Sequence, residues 1–408
     1  MNFHQDPQDT TNCSKLSLTV LKSVEELKEH RKEWDGFVES IGSDVYFLVD
    51  WLETWLQFYG KNCDLRCYIV KKNSRIVAVL PFSIERTRIG FFSIRIARFV
   101  GSYGTIVVFS PPIQPTCEAQ VMKLVLPKLL SDEKCDVVCL SPISGKSPLS
   151  AMENWDEISD DKFALLEKKD VGVHTIFDLP STFDEYLLSL GKSKRKKYLK
   201  SNRLLSNEFE LESRMLEKEK ALECFEIFVD FHTKLWNRLG KLGHFGDWPL
   251  SLEFNRELVS KFSRTGHVKF YELSTGNRSL CLTYIFELGE TSYRRLSARD
   301  PSSEMASFSV GRVGYVKSLE ILIDSGKRFA DTGPGHYEYK TALGGQEYQM
   351  KRIIFTKPSL ASRKQAYRYL KLSDWLNFIY YRVWFLKLSP RLRLKSRPLW
   401  TFWIRAKL

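Results

Sequence analysis

Short apolar runs with strand-like character recur along the chain, separated by stretches in which apolar residues fall three or four apart. Leu16 to Leu21 (LSLTVL) reads as a strand, and Ser23 with Glu26 has capping-box spacing at the head of a helix carrying Val24, Leu27, Trp34 and Phe37. The same opening returns at His174 to Leu179, a strand, followed by a helix from Ser181, its candidate N-cap, to Leu190. Hairpins repeat as well. Leu65 to Lys71 and Arg75 to Ile84 flank a turn at Asn73-Ser74, and His267 to Leu273 and Arg278 to Leu288 flank a turn at Ser274 to Asn277. Strands bracketed by helices in both halves predict an α/β protein of two similar lobes.

Ser307 to Gly345 carries the densest pattern. It predicts a glycine-containing turn, then a helix with Val316, Leu319, Ile321, Leu322 and Ile323 near one face, and Gly326 where a helix end needs a left-handed residue. A short strand and a loop ending in Tyr339-Lys340 follow. Free amides at such a helix start attract phosphate.

With 408 residues the chain is long for a single core. We expect a flexible 1–15, a lobe over 16–150, a polar linker over 151–172, a second lobe over 173–360 and a tail over 361–408. The start lacks a basic segment followed by an apolar one, and no run of about 18 uncharged apolar residues occurs, so a cytoplasmic location is expected. Eight scattered cysteines, several in apolar text such as CDLRCYIV and CDVVCL, read as reduced core thiols, and no metal is expected. GKS occurs at Gly145 and Gly191. The glycine a phosphate-binding Walker loop needs five residues earlier is Leu140 in one and Tyr186 in the other, which excludes nucleotide hydrolysis on that motif.

Four segments, in this order, resemble GNAT-type acyltransferases of the CelD-like and FemAB-like group, proteins associated with envelope polysaccharide or peptidoglycan synthesis. They are GKSKRKKYLKSNRLL from Gly191 to Leu205, FHTKLWNRLG from Phe231 to Gly240, FSVGRV from Phe308 to Val313, and FADTGPGHYEYK from Phe329 to Lys340. DWLETWLQFYG at Asp50 to Gly60 and AVLPF at Ala78 to Phe82 extend a weaker likeness into the first half. The resemblance implies two tandem GNAT-like lobes, each a mixed, partly antiparallel sheet flanked by helices. It also implies transfer of an acyl group, acetyl foremost, from acetyl-CoA or another acyl-CoA to an amine or hydroxyl of a sugar, glycolipid or envelope precursor.

Thioesters are already activated, so such an enzyme has to hold the donor pyrophosphate, align the acceptor and stabilise a tetrahedral oxyanion. In the family a Q/R-x-x-G-x-G/A turn binds the pyrophosphate. Phe308, Gly311 and Val313 occupy those positions here, and only Gly311 matches. Ser309, Val310, Gly311 and Arg312 remain the donor-binding candidates, with Arg312 offering charge and Gly314 backbone freedom. The departure leaves an aminoacyl-tRNA, the donor of FemAB-like relatives, or an acyl carrier protein as alternatives. A non-catalytic, membrane-associated GNAT-like binding protein is a further class.

Lys340 matches the lysine that ends the family's Y-K or F-K signature, where the resemblance implies a charge near the reacting carbonyl or donor phosphate; a solvated lysine at a strand end gives the same pattern. Asp331 either orients Lys340, accepts a proton from the acceptor, or only stabilises its turn. Tyr339 is the candidate proton donor to a leaving thiolate, or a packing residue. His336, in the same loop, is a candidate base by residue type, or an ordinary loop histidine that the resemblance does not support.

Lys192, Lys194, Arg195, Lys196, Lys197, Lys200 and Arg203 put seven cations in twelve residues. Lys196, Lys200 and Arg203 form one helical stripe that either contacts phosphates of the acceptor or a tRNA, or faces solvent. His232 and Trp236, four apart on a helix, match a pair that lines the acceptor cleft in the family; an amphipathic packing face explains them equally. From Ala361 to Leu408, twelve Lys or Arg face the single acid Asp374, a balance of +11 of the chain's +13. Four of the ten tryptophans lie there too. Basic residues among interfacial aromatics suit an anionic membrane surface, with packing on the first lobe or a nucleic-acid contact as alternatives; overall, a nucleic-acid partner is not expected.

Overall fold

Backbone pairing arranges the chain as two runs of five strands that meet on a central pair. The protein is described by a computed structural model covering residues 16–105, 107–152, 155, 161–302, 308–392 and 400–407. The expected flexible 1–15, Ser307, and parts of the expected linker and tail lie outside the described residues.

The first run is β1 (Leu16–Leu21), β2 (Asp64–Lys72), β3 (Arg75–Ile89), β4 (Phe92–Phe99) and β5 (Val137–Ile143). The second is β7 (Glu212–Leu216), β8 (Val268–Thr275), β9 (Arg278–Leu288), β10 (Thr291–Arg299) and β11 (Phe329–Pro334). Between them lie β6 (Ala164–Asp178) and β12 (Gln346–Thr356), giving one sheet ordered β1-β2-β3-β4-β5-β12-β6-β11-β10-β9-β8-β7. Each run is antiparallel except at its inner end, where β4 pairs with β5, and β10 with β11, in parallel. The sheet is mixed and helix-flanked in both lobes, as expected.

Local chemistry explains the hairpins. Asn73 and Ser74 both adopt positive φ, the turn that matches the twist of the flanking strands. Gly326 closes its helix at φ +75°.

Three expectations need correction. Thr182, not Ser181, caps the helix Phe183–Ser189, because it is Thr182 whose hydroxyl accepts from the Glu185 amide while Glu185 bonds back. The expected polar linker contains the first half of β6, whose Ala164 to Asp170 pair with Lys351 to Thr356 of β12; backbone pairing, not side-chain hydrophobicity, makes it a strand. Gly314 does not serve the donor turn. A Cβ there would lie 2.7 Å from Cys281 Sγ, so this glycine lets the helix Val310–Asp324 approach β9.

Part of the tail packs on the first lobe. The helix Leu360–Leu376 buries Ala366, Tyr369 and Leu370 against Ile94, Ile96 and Ile354, and the helix Trp400–Ala406 brings Arg405 to within 2.6 Å of Glu85. The other side of the segment stays in solvent: Trp375 is 61% exposed, with Phe378, Ile379, Arg382 and Leu386 along the same stripe. No helix among the described residues is long and apolar enough to cross a membrane.

Candidate active site

The parallel pairing of β10 with β11 covers only Thr291 to Tyr293 against Phe329 to Asp331. Beyond it, β10 stays with β9 as far as Arg299 while β11 leans to β6, where Pro334 pairs with His174. The sheet therefore forks just after Tyr293 and Asp331. Facing strand edges at a fork expose backbone groups that must find partners elsewhere.

Asp331 sits at the root of the fork. Its Oδ1 accepts the Gly333 amide at 2.7 Å, the turn-stabilising role, while Oδ2 lies 3.6 Å from His174 Nδ1. Lys340 falls in a short helix, Glu338–Ala342, rather than at a strand end, and is only 4% exposed. Its ammonium donates to the carbonyls of Thr332 at 2.6 Å and Gly333 at 3.2 Å, next to Asp331, and lies 4.9 Å from the Tyr337 ring centre. Burial lowers its pKa to about 8, partly offset by Asp331. A solvated lysine is thus the wrong description, because desolvation and two carbonyl partners fix the group. Tyr339 stays half in solvent, edge-on to Tyr315, and His336 is an exposed partner of Glu347.

Where the lobes meet, a cleft of about 240 Å³ opens in front of Asp331. Ser43, Asp44, Ser110, Ser144 and Lys146 line it from the first lobe, and Thr291, Tyr293, Phe329 and Asp331 from the second. The Asp44 carboxylate accepts the Ser110 amide, and Tyr293 reaches Asp44 Oδ1 at 3.4 Å. Burial drives the Asp44 carboxyl well above the usual carboxylate range, and the nearby Asp331 charge adds to the rise. Asp44, Ser144, His174 and Tyr293 did not stand out in the sequence. His174 sits in apolar strand text and Ser144 next to a rejected GKS, and only pairing of distant strands brings them to Asp331.

The donor-turn candidates occupy the start of the helix Val310–Asp324, with Ser309 as N-cap. Ser309 and Gly311 are exposed, Arg312 is half-buried, and nothing lies within 4 Å of where a Gly311 Cβ would stand, which leaves room for a ligand there. The helix Lys192–Glu208 packs beside it through Tyr198 and Leu205, leaving Lys196, Lys200 and Arg203 on the outer face. His232 and Trp236 do not line the interlobe cleft. They pack within the second lobe, where His232 is buried against Phe228, Phe245 and His244, because the apolar face of helix Lys218–Arg238 turns inward there. Among the described residues no group of three or more His, Cys, Asp or Glu could hold a metal.

Residues 192–341 match the family model described as "Acetyltransferase (GNAT) domain". Among solved structures, FemX is similar over 79% of this chain and 95% of its own, at 13% identity and a TM-score of 0.57. Residues 192–341 thus form a GNAT-type domain, and the chain as a whole shares the fold of FemX. A conserved protein of unknown function from Bacteroides thetaiotaomicron VPI-5482 is similar over 81% of this chain and 97% of its own, at 13% identity and a TM-score of 0.50. No curated protein matches the sequence. In this GNAT-fold chain the matched segment holds Tyr293, Asp331 and Lys340, whereas Asp44, Ser144 and His174 lie outside it.

Proposed function

We propose that this protein transfers an acyl group from a thioester donor, reaching the fork between β10 and β11, to an amine or hydroxyl seated in the interlobe cleft. The observation that carries this reading is that the fork and the cleft meet at one residue, Asp331. Unpaired strand edges suit an extended donor arm, and the exposed first turn of the helix Val310–Asp324 suits its phosphates. Asp331 takes the acceptor's proton, and Lys340 fixes the turn that carries it. Acetyl from acetyl-CoA is the donor group we favour, and a sugar, glycolipid or other envelope precursor is the acceptor.

A second reading, an aminoacyl-tRNA donor, is supported by the seven cations at the head of helix Lys192–Glu208, which make no ion pairs among the described residues, and by the single match at the donor turn. Thermal unfolding with acyl-CoAs and, separately, with charged tRNA tests both. A donor at 100 times its dissociation constant stabilises the fold by about 2.7 kcal/mol, a shift of several degrees. A saturable shift with acyl-CoA supports the first reading; a shift only with charged tRNA, steepest at low salt, supports the second. Silence from both, and from an acylated carrier protein as well, removes the transferase reading in favour of a binding protein.

We further place the protein at an anionic membrane surface through the exposed stripe of Lys371, Trp375, Phe378, Ile379, Arg382 and Leu386, whose aromatic and basic mixture suits a headgroup region. Co-sedimentation with phosphatidylglycerol vesicles but not with phosphatidylcholine vesicles is expected, and equal behaviour with both would overturn it.

A further inference from the structure

Three strands bring Ser144, His174 and Asp331 together at the back of the interlobe cleft. Ser144 Oγ lies 3.1 Å from His174 Nε2, and His174 Nδ1 lies 3.6 Å from Asp331 Oδ2. The Lys146 amide donates to Ser144 Oγ at 3.1 Å, and the productive tautomer is the one in which the serine hydroxyl donates to Nε2. Nε2 is then the acceptor and Nδ1 carries the hydrogen. Among the described residues Nδ1 has no hydrogen-bond partner, and the Asp331 carboxylate is the group that faces it. The imidazole is fully buried, which protects its tautomer from water. Its two neighbours both line the cleft.

That order, hydroxyl to imidazole to carboxylate, is the arrangement that makes a serine nucleophilic on unrelated folds, and such contacts commonly tighten only when substrate is bound. The ammonium of Lys146 lines the same cleft, 3.0 Å from Asp178, and supplies positive charge for a developing oxyanion. We propose that Ser144, His174 and Asp331 form a nucleophilic relay in which Ser144 accepts an acyl group from an activated ester or thioester. Ser144 Oγ forms a bond to the carbonyl carbon as the carbon–sulfur or carbon–oxygen bond to the leaving group breaks. The serine proton passes to His174 Nε2 and then to the leaving thiolate or alkoxide. An acceptor amine, or water, reverses the sequence and frees the serine. This goes beyond direct transfer at the fork and does not need the donor to be CoA.

Full-length protein treated with a fluorophosphonate probe and read by intact mass and peptide mapping tests it, with no natural donor required. One adduct on Ser144 is expected, absent in Ser144→Ala and slowed at least about 100-fold in His174→Gln, with the acid limb of the labelling rate lost in the same variant. Asp331→Asn, at a partly exposed carboxylate, is expected to slow labelling at least tenfold and carries the test if melting shows that His174→Gln does not fold. No adduct, an adduct on another residue, or labelling of Ser144 at an unchanged rate in folded His174→Gln or Asp331→Asn would overturn the relay. Because the probe bypasses the donor turn, such a failure leaves the acyl-CoA and tRNA results standing.

Discussion

The two lobes repeat one strand order yet treat the same position in opposite ways. In the second lobe the parallel pair ends at Tyr293 and Asp331, and both face an open cleft. The matching end in the first lobe is Arg98 with Cys139, and both are buried. There the C-terminal segment covers the site: Arg98 donates to the Arg405 carbonyl at 2.6 Å, Arg405 pairs with Glu85, and Tyr103 reaches Glu85 at 3.4 Å. A repeated fold therefore does not entail a repeated site. In this chain one copy turns Tyr293 and Asp331 to the shared cleft, while the other satisfies its polar groups internally and serves as a wall of that cleft.

The sharpest way to break the comparison is to unseal the first lobe. Glu85→Ala leaves the buried Arg98 guanidinium and the half-buried Arg405 without their carboxylate, and removing one partner of a buried pair costs about 3–5 kcal/mol. Denaturant unfolding should show a loss of that size, with the tail more protease-sensitive. Tyr293→Phe, at the matching place in the second lobe, gives up only two long bonds of 3.4 Å and is expected to cost about 1 kcal/mol or less. Equal costs would mean that both ends are structural.

Acid separates the lobes next. Burial lowers the pKa of His232 to about 3 and of His244 to about 4, from an ordinary 6.5, and their rings share a 3.2 Å contact. Both values are depressed in the folded state, so their stabilising effect is complete above pH 6.5 and is lost as pH falls towards 4 and 3, while the unfolded chain takes up protons the folded one refuses. At pH 5 the loss amounts to at most about 2 kcal/mol per histidine. The corresponding helix of the first lobe, Arg31–Ser40, buries Trp34, whose indole donates to the Phe47 carbonyl and does not titrate. Hydrogen exchange at pH 5 against pH 7 should therefore show the second lobe losing protection first; loss spread evenly over both lobes would show that the histidine pair is not the cause.

Much of this architecture was legible because it is local. The hairpin at Asn73-Ser74, the glycine at 326 and the strand-then-helix openings each follow from a few adjacent residues, and the order of motifs pointed to the GNAT fold. The same motif order singled out Asp331 and Lys340, which the structure brings side by side at the fork. What was not legible depends on pairing across more than a hundred residues. Nothing near His174 announces that it will stand between Ser144 and Asp331, and the polar text at 164–170 becomes a strand only because β12 arrives beside it. Hydrophobic pattern likewise placed His232 and Trp236 on one helical face without saying which way that face turns.

The smallest effect tests the helix that follows the fourth strand of each lobe. In the first lobe that helix, Glu118–Pro127, packs through Val121, Met122 and Val125 and has no glycine. In the second, Gly314 lets the helix sit against Cys281 and Leu273, and a Cβ would meet Cys281 Sγ at 2.7 Å and Cβ at 2.9 Å. Gly314→Ala should thus cost about 1–3 kcal/mol through overpacking, despite the better helix propensity of alanine. Gly311→Ala, one turn earlier with nothing within 4 Å, should stabilise by up to about 1 kcal/mol while narrowing the space left at the donor turn. If Gly311→Ala raises the melting temperature but weakens the shift caused by an acyl-CoA, the open first turn is kept for a ligand; if it raises stability and leaves that shift intact, the donor phosphates lie elsewhere, and the lobes differ at the fork alone.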